Sequence, residues 1–99
     1  MPDKQDIIDF LAENKDFFKK KFGIIKIGIF GSYARGEQTE NSDIDILILM
    51  NENTEDIFDK RLEFRDLISE EFSKNVDVCH EQAIKPMFKP LIFKDLIYV

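Results

Sequence analysis

The sequence holds a single cysteine, Cys79, so no internal disulfide can form. Tryptophan is absent, and three prolines and four glycines are too few, and too scattered, for a linker or a low-complexity segment. No apolar run exceeds a few residues, against the roughly 20 needed to cross a bilayer, which excludes a spanning helix. Positive charge is in deficit: 14 Lys and Arg face 20 Asp and Glu, for a net charge of −6. Such a field repels polyanions and argues against a non-specific nucleic-acid binder. The first ten residues carry Asp3, Asp6 and Asp9 and lack the basic start and apolar stretch of a secretory signal. With one thiol and no leader, the expected setting is a reducing cytoplasm. What is present fits a folded, soluble domain: 43% hydrophobic residues including ten Phe, and 34% charged residues. A chain of 99 residues buries roughly two-thirds of its unfolded surface, enough for one core and hardly for two, so residues 1–99 read as one domain.

The hydrophobic pattern orders the elements. From Asp3, a capping residue, Ile7, Ile8, Leu11, Phe18 and Phe22 form the stripe of an amphipathic helix that ends in Lys19, Lys20 and Lys21, with Gly23 as its left-handed stop. The run from Ile24 to Phe30 is short, β-branched and apolar at nearly every position, as in a central strand. Gly31 to Gly36 has room for one short helical turn, and residues 37–42 form a polar loop. A second strand follows over Asp43–Met50. A helix over Thr54–Phe72 is expected to turn Ile57, Phe58, Leu62, Phe64, Leu67, Ile68 and Phe72 inward, with a charged, solvated opposite face. Val76–Cys79 alternates as a third strand. The tail from Ala83 is apolar, and a short helix is expected from about Pro90, with Pro86 in its approach, because proline suits a first helical turn. That tail is either core or a partner surface. The order is that of a small α/β domain with helices packed on a sheet.

Chemistry concentrates at Gly31-Ser32 and, ten residues on, Asp43-Ile44-Asp45. Alternation along a strand points Asp43 and Asp45 the same way, with α-carbons about 6.6 Å apart. Two carboxylates beside Ile44, Ile46 and Ile48 repel and lose solvent, and no Lys or Arg lies on that strand to compensate. Hard oxygen donors select Mg²⁺ or Mn²⁺, as one ion or as a pair about 3.5–4 Å apart. Asp77 alternates with Val76 and Val78 and becomes a third acid of the same cluster if its strand lies beside the second. Gly31 and Ser32, at a strand end before a helical turn, offer backbone N–H groups and a hydroxyl to phosphate oxygens.

Gly31-Ser32, ten residues, then Asp43-x-Asp45, within Gly-Ser-Tyr-Ala-Arg-Gly and Ser-Asp-Ile-Asp-Ile-Leu, resembles the signature of the DNA polymerase β-like nucleotidyltransferase superfamily. The small size and the Gly-Ser-x-Ala-Arg-Gly form are similar to the minimal nucleotidyltransferases that serve as antitoxins in HEPN–MNT pairs. The resemblance implies a small mixed sheet flanked by helices. It implies that Asp43, Asp45 and Asp77 hold two Mg²⁺ ions, and that Gly31 and Ser32 hold the phosphates of ATP that leave as pyrophosphate. The implied activity is transfer of AMP from ATP to a tyrosine hydroxyl of a HEPN-type ribonuclease toxin, which the modification silences. Arg35 matches a position of this subset and either touches phosphate or pairs with an acid of its loop.

The alternative is a non-catalytic antitoxin that binds and occludes the toxin. Its active site is then vestigial or unused; separately, a purely structural reading has Ser32 capping a turn and Asp77 as a surface-facing strand residue. A nucleotidyltransferase acting alone on a small molecule lacks a second domain to bind its substrate, and one acting on RNA lacks a basic surface. Cys79 beside His80 has no partners at zinc spacing and reads as a buried thiol at a strand end. Lys19–Lys21 reads as a solvated helix end.

Overall fold

In the computed structural model, which describes residues 2–99, the amino-terminal stripe folds as two helices rather than one: α1 (Lys4–Glu13) and α2 (Lys15–Phe22). Asp3 starts α1 through a reciprocal cap. Its Oδ1 accepts the Asp6 N–H at 2.8 Å, while Asp6 Oδ2 accepts the Asp3 N–H at 3.0 Å. The break falls at Asn14, whose side-chain amide donates to the Phe10 carbonyl at 2.8 Å and so competes with the helical ladder. The stripe survives the break, with Ile7, Leu11, Phe18 and Phe22 all buried. Gly23 stops α2 at φ 73°, its N–H returning to the Lys19 carbonyl at 3.0 Å beneath the three lysines.

Strands β1 (Ile24–Phe30) and β2 (Ile44–Met50) form the centre of a four-stranded sheet, in the order β3-β2-β1-β4 with β3 (Val76–His80) and β4 (Ile97–Tyr98). β1 runs antiparallel to β2 and β4, and β2 parallel to β3, so the sheet is mixed. β1 is central as expected but is not covered throughout. A register shift between Ile24 and Lys26 turns Ile25 to solvent. Between β1 and β2 lies one short helix, α3 (Gly31–Arg35), and β2 begins one residue after Asp43.

One sheet face holds the main core. Ile44, Ile46, Ile48 and Met50 of β2 meet Ile27 and Ile29 of β1 and the inward residues of α1, α2 and α4 (Ile57–Phe72). Phe64 stands edge-on to Phe18, ring centroids 5.1 Å apart at 87°. α4 starts at Ile57 rather than Thr54, after Asp56 at φ 53°, and its first turn departs from the sequence reading. Ile57 precedes Phe64 by two helical turns and overshoots the core, while Phe58 lies off the Phe64–Ile68 stripe; both are exposed. On the other sheet face Leu47 is buried beneath the returning C-terminal segment. A Cβ on its cross-strand partner Gly28 would stand 2.8 Å from Leu96 Cδ1. That segment contains 3₁₀ turns at Glu81–Ala83 and Pro86–Phe88, then α5 (Lys89–Phe93) with Pro90 in its first turn, then β4, a strand the sequence pattern does not reveal. The tail divides: Ile97 and Val99 pack on the core, whereas Met87 and Leu91 stand 74% and 70% exposed. No helix among the described residues is long and apolar enough to cross a membrane.

Candidate active site

The three acids come together through strand pairing. In the parallel β2–β3 ladder Asp45 is the register partner of Asp77, and in the antiparallel ladder Asp45 lies opposite Phe30, the residue before Gly31. Asp45, Leu47 and Leu49 point away from the main core, so Asp45 and Asp77 emerge side by side on the second face, near the turn into α3. Asp43 joins them just ahead of the strand. Asp43 and Asp77 are exposed, while Asp45 is half-buried.

Gly31 makes this position available to Asp45. Its φ is +74°, a left-handed conformation that costs an L-residue roughly 1–2 kcal/mol. A Cβ there would overlap Asp45 Oδ2 and stand 3.1 Å from its Cγ. Glycine is required by the backbone angle and by the carboxylate packed on it. Ser32 follows in the first turn of α3, and its carbonyl accepts the Glu37 N–H at 2.9 Å, which closes the turn at Gly36. No side chain caps the start of α3, so its first amides retain hydrogen-bonding capacity toward a ligand.

The electrostatics centre on Asp45. Burial, then the charges of Asp77 and Asp43, push its pKa from 3.8 up to about 6, and Arg35 pulls weakly the other way. Arg35 itself is engaged elsewhere: Nε meets Glu37 Oε1 at 2.6 Å and Nη1 meets Asp95 Oδ2 at 3.1 Å. Of the two roles left open for Arg35, the structure shows the ion pair. No three His, Cys, Asp or Glu side chains among the described residues are gathered into a closed ligand set. The strand pairing brings the backbones of Asp45 and Asp77 together. The donor chemistry still fits a hard divalent cation: three carboxylates share one rim, and the nearby guanidinium is already committed.

Cys79 and His80 form no centre of their own. His80 Nε2 accepts the Met50 N–H at 3.3 Å, and burial holds its pKa below the usual value, as befits a neutral ring bonded to backbone. Burial pushes the Cys79 thiol up, away from thiolate reactivity. Two residues near the site lie outside the sequence reading. Arg61 and Arg65 sit one turn apart on α4 and line a recess with Val76, Asp77 and Val78. Their four-residue spacing on the charged side of α4 was the available signal, but only the packing of α4 beside β3 brings them to Asp77.

Known proteins share this fold. The family model described as "Nucleotidyltransferase domain" matches residues 11–99. A chain of Methanocaldococcus jannaschii, provisionally named a protein adenylyltransferase, is 44% identical over 95 residues, covering 95% of both chains. Protein adenylyltransferase MntA of Thermococcus cleftensis is 30% identical, covering 96% of this chain and 94% of its own. Among solved structures, a minimal nucleotidyltransferase superposes with TM-score 0.79 at 21% identity, over 97% of this chain and 95% of that one. A chain from the complex of a tri-AMPylated Shewanella oneidensis HEPN toxin with its MNT antitoxin superposes with TM-score 0.59 at 20% identity, over 96% of this chain and 66% of that one. A mixed four-stranded sheet backed by helices is thus a known fold, and this chain belongs to the nucleotidyltransferase domain family.

Proposed function

We propose that residues 1–99 act as one minimal nucleotidyltransferase domain, an antitoxin that transfers AMP from ATP to a tyrosine hydroxyl of a HEPN-type ribonuclease toxin and thereby silences it in the cytoplasm. The observation that carries the reading is the Asp45–Asp77 register pair, with Asp45 seated on the left-handed Gly31. The names of the adenylyltransferase relatives support AMP as the transferred group. The AMPylated HEPN toxin bound to an MNT antitoxin of the same fold supports the partner.

In this reading Asp43, Asp45 and Asp77 would hold Mg²⁺, two ions in all. Bound there, magnesium supplies positive charge for the attacking and leaving oxygens. The chain's own residues bind and orient. Gly31, lacking a side chain, lets backbone approach the β- and γ-phosphates, and Ser32 adds its hydroxyl with the first-turn amides of α3. Arg35 reaches phosphate only by giving up Asp95 or Glu37. The acceptor oxygen forms its bond to the α-phosphorus, the bond to the β-phosphate oxygen breaks, and pyrophosphate leaves as the hydroxyl proton is released. Positioning supplies much of the rate, because in-line attack needs aligned groups more than covalent help from the protein.

The test is incubation of the chain with labelled ATP, Mg²⁺ and the HEPN-type protein encoded beside it. The expected result is a toxin heavier by whole AMP units, on tyrosine. Asp43→Asn with Asp45→Asn abolishes labelling and protection together. Full protection of cells by the double variant would overturn catalysis in favour of occlusion.

A further inference from the structure

β3 is an outer strand, and the phase of its pairing decides which backbone groups are left over. Ile44 donates to the Asn75 carbonyl at 3.0 Å, so Asn75, Asp77 and Cys79 turn their backbone toward β2. The N–H and C=O groups of Val76 and Val78 therefore point outward. No turn, loop or cap hydrogen bond among the described residues takes them up. Val76 is only 6% exposed and Val78 half-buried, but both line a recess, and an outer strand edge with unpaired backbone groups can pair with another extended chain.

What flanks the edge gives it chemistry. Beside Val76–Val78, Arg61 and Arg65 line a recess of about 200 Å³. At one end it meets a cavity of about 400 Å³ that contains Asp43 and Asp77. At the other, Val78, Ile84, Phe88 and Ile92 line a mostly apolar hollow of about 360 Å³, which Arg61 also borders. The groove thus begins at the candidate catalytic acids, passes two guanidinium groups and ends in an apolar pocket. Arg61 has no carboxylate partner among the described residues and lies over the Phe58 ring at 5.4 Å; Arg65 meets only its exposed neighbour Asp66. In a chain of net charge −6, this is a local positive stretch.

We propose that the acceptor protein docks here as an added strand: an extended, acidic segment pairs with the Val76–Val78 edge, sets its carboxylates on Arg61 and Arg65, and drops an apolar side chain against Phe88 and Ile92. The acceptor hydroxyl then sits at the Asp77 end. From Asp77 to His80 the strand advances about 10 Å, which places the apolar anchor three or four residues from the hydroxyl. This docking rests on the adenylyl-transfer reading and adds to it the shape and charge of the substrate. The edge amides and apolar pocket suit a polypeptide better than a nucleic-acid strand, which has no backbone amides to pair with Val76 and Val78.

The experiment uses the full chain with Mg²⁺, labelled ATP and short tyrosine peptides. One peptide carries Glu beside the tyrosine and Leu four residues away; a second carries Lys in place of Glu. A third and a fourth are N-methylated on alternate residues. The acidic peptide should be labelled with a KM about tenfold lower than the basic one, and Arg61→Glu with Arg65→Glu should reverse that preference. Only one of the two N-methylation phases should block labelling. A reversed preference in the double variant also shows that it is folded. Equal labelling of acidic and basic peptides, indifference to both N-methylation phases, or preferred labelling of an RNA 3′ hydroxyl would overturn the docking. If the HEPN-type protein is labelled normally by the double variant, docking fails and adenylyl transfer stands. If nothing is labelled although the chain binds AMP-PNP, both fail.

Discussion

Replacing Asp45 by Asn should remove activity and yet make the protein harder to unfold. Burial and the charges of Asp77 and Asp43 raise the Asp45 pKa from 3.8 to about 6. At 1.36 kcal/mol per pH unit that displacement amounts to about 3 kcal/mol. The side chain is only partly buried, and screening lowers the figure to about 1–2 kcal/mol. The sign follows from proton counting. The unfolded chain releases this proton near pH 4 and the native protein only near pH 6, so between these values the native state holds the extra proton. Native stability therefore falls as pH rises through that window and stays at its lower level above it. Asparagine has nearly the same shape and does not titrate. In EDTA at pH 7.5, Asp45→Asn should melt about 5–10 °C above the parent, and the difference should vanish near pH 4. Adding Mg²⁺ should raise the parent's midpoint by mass action and leave the variant's nearly unchanged. Calorimetry across pH 4 to 7.5 reads all of this. A variant that melts below the parent at pH 7.5, or a difference that ignores pH, would refute the claim that Asp45 is held charged against the preference of its surroundings.

Gly31→Ala places a methyl on Asp45 Oδ2 at a left-handed backbone position; AMP transfer should drop about a hundredfold, with destabilisation of about 1–2 kcal/mol read by urea titration. Asp3→Ala removes the side-chain half of the α1 cap, the Asp3 Oδ1 that accepts the Asp6 N–H, and keeps the backbone N–H that donates to Asp6; it should cost about 1 kcal/mol in the same titration while leaving kcat unchanged. His80 has a lowered pKa, so its contribution is present above its ordinary value of 6.5 and lost as pH falls below it. His80→Gln retains an acceptor for the Met50 N–H, and its melting should lack the part of the acid-side decline that His80 titration causes.

The parts of this fold that could be read from sequence are those set within a few residues. Asp3 and Gly23 mark helix ends because each acts on backbone groups three or four positions away. β1 and β2 follow from their own apolar runs. The parts that escaped depend on partners far along the chain, or on how far an element extends over the sheet. The two residues of β4 carry too little pattern to announce a strand and exist because β1 offers an edge. Phe58 looks like core until the position of α4 leaves it beyond the sheet. The ion pair of Arg35 with Asp95 joins residues sixty positions apart.

The site divides along the same line. Alternation alone assigns faces to Asp43, Asp45 and Asp77, but it cannot choose among registers, and a shift of one residue in β3 would send Asp77 to the opposite face. The Ile44–Asn75 hydrogen bond and the ladder beyond it make the choice. Here the two requirements meet in a few residues. The apolar alternation that drives Ile44 and Ile46 into the core also forces Asp45 outward, against Gly31 and beside Asp77, where neither burial nor neighbouring charge favours an ionised carboxylate. The energy of the isoleucine core holds the acid in that position, and removing the charge should relax the fold as it removes the chemistry.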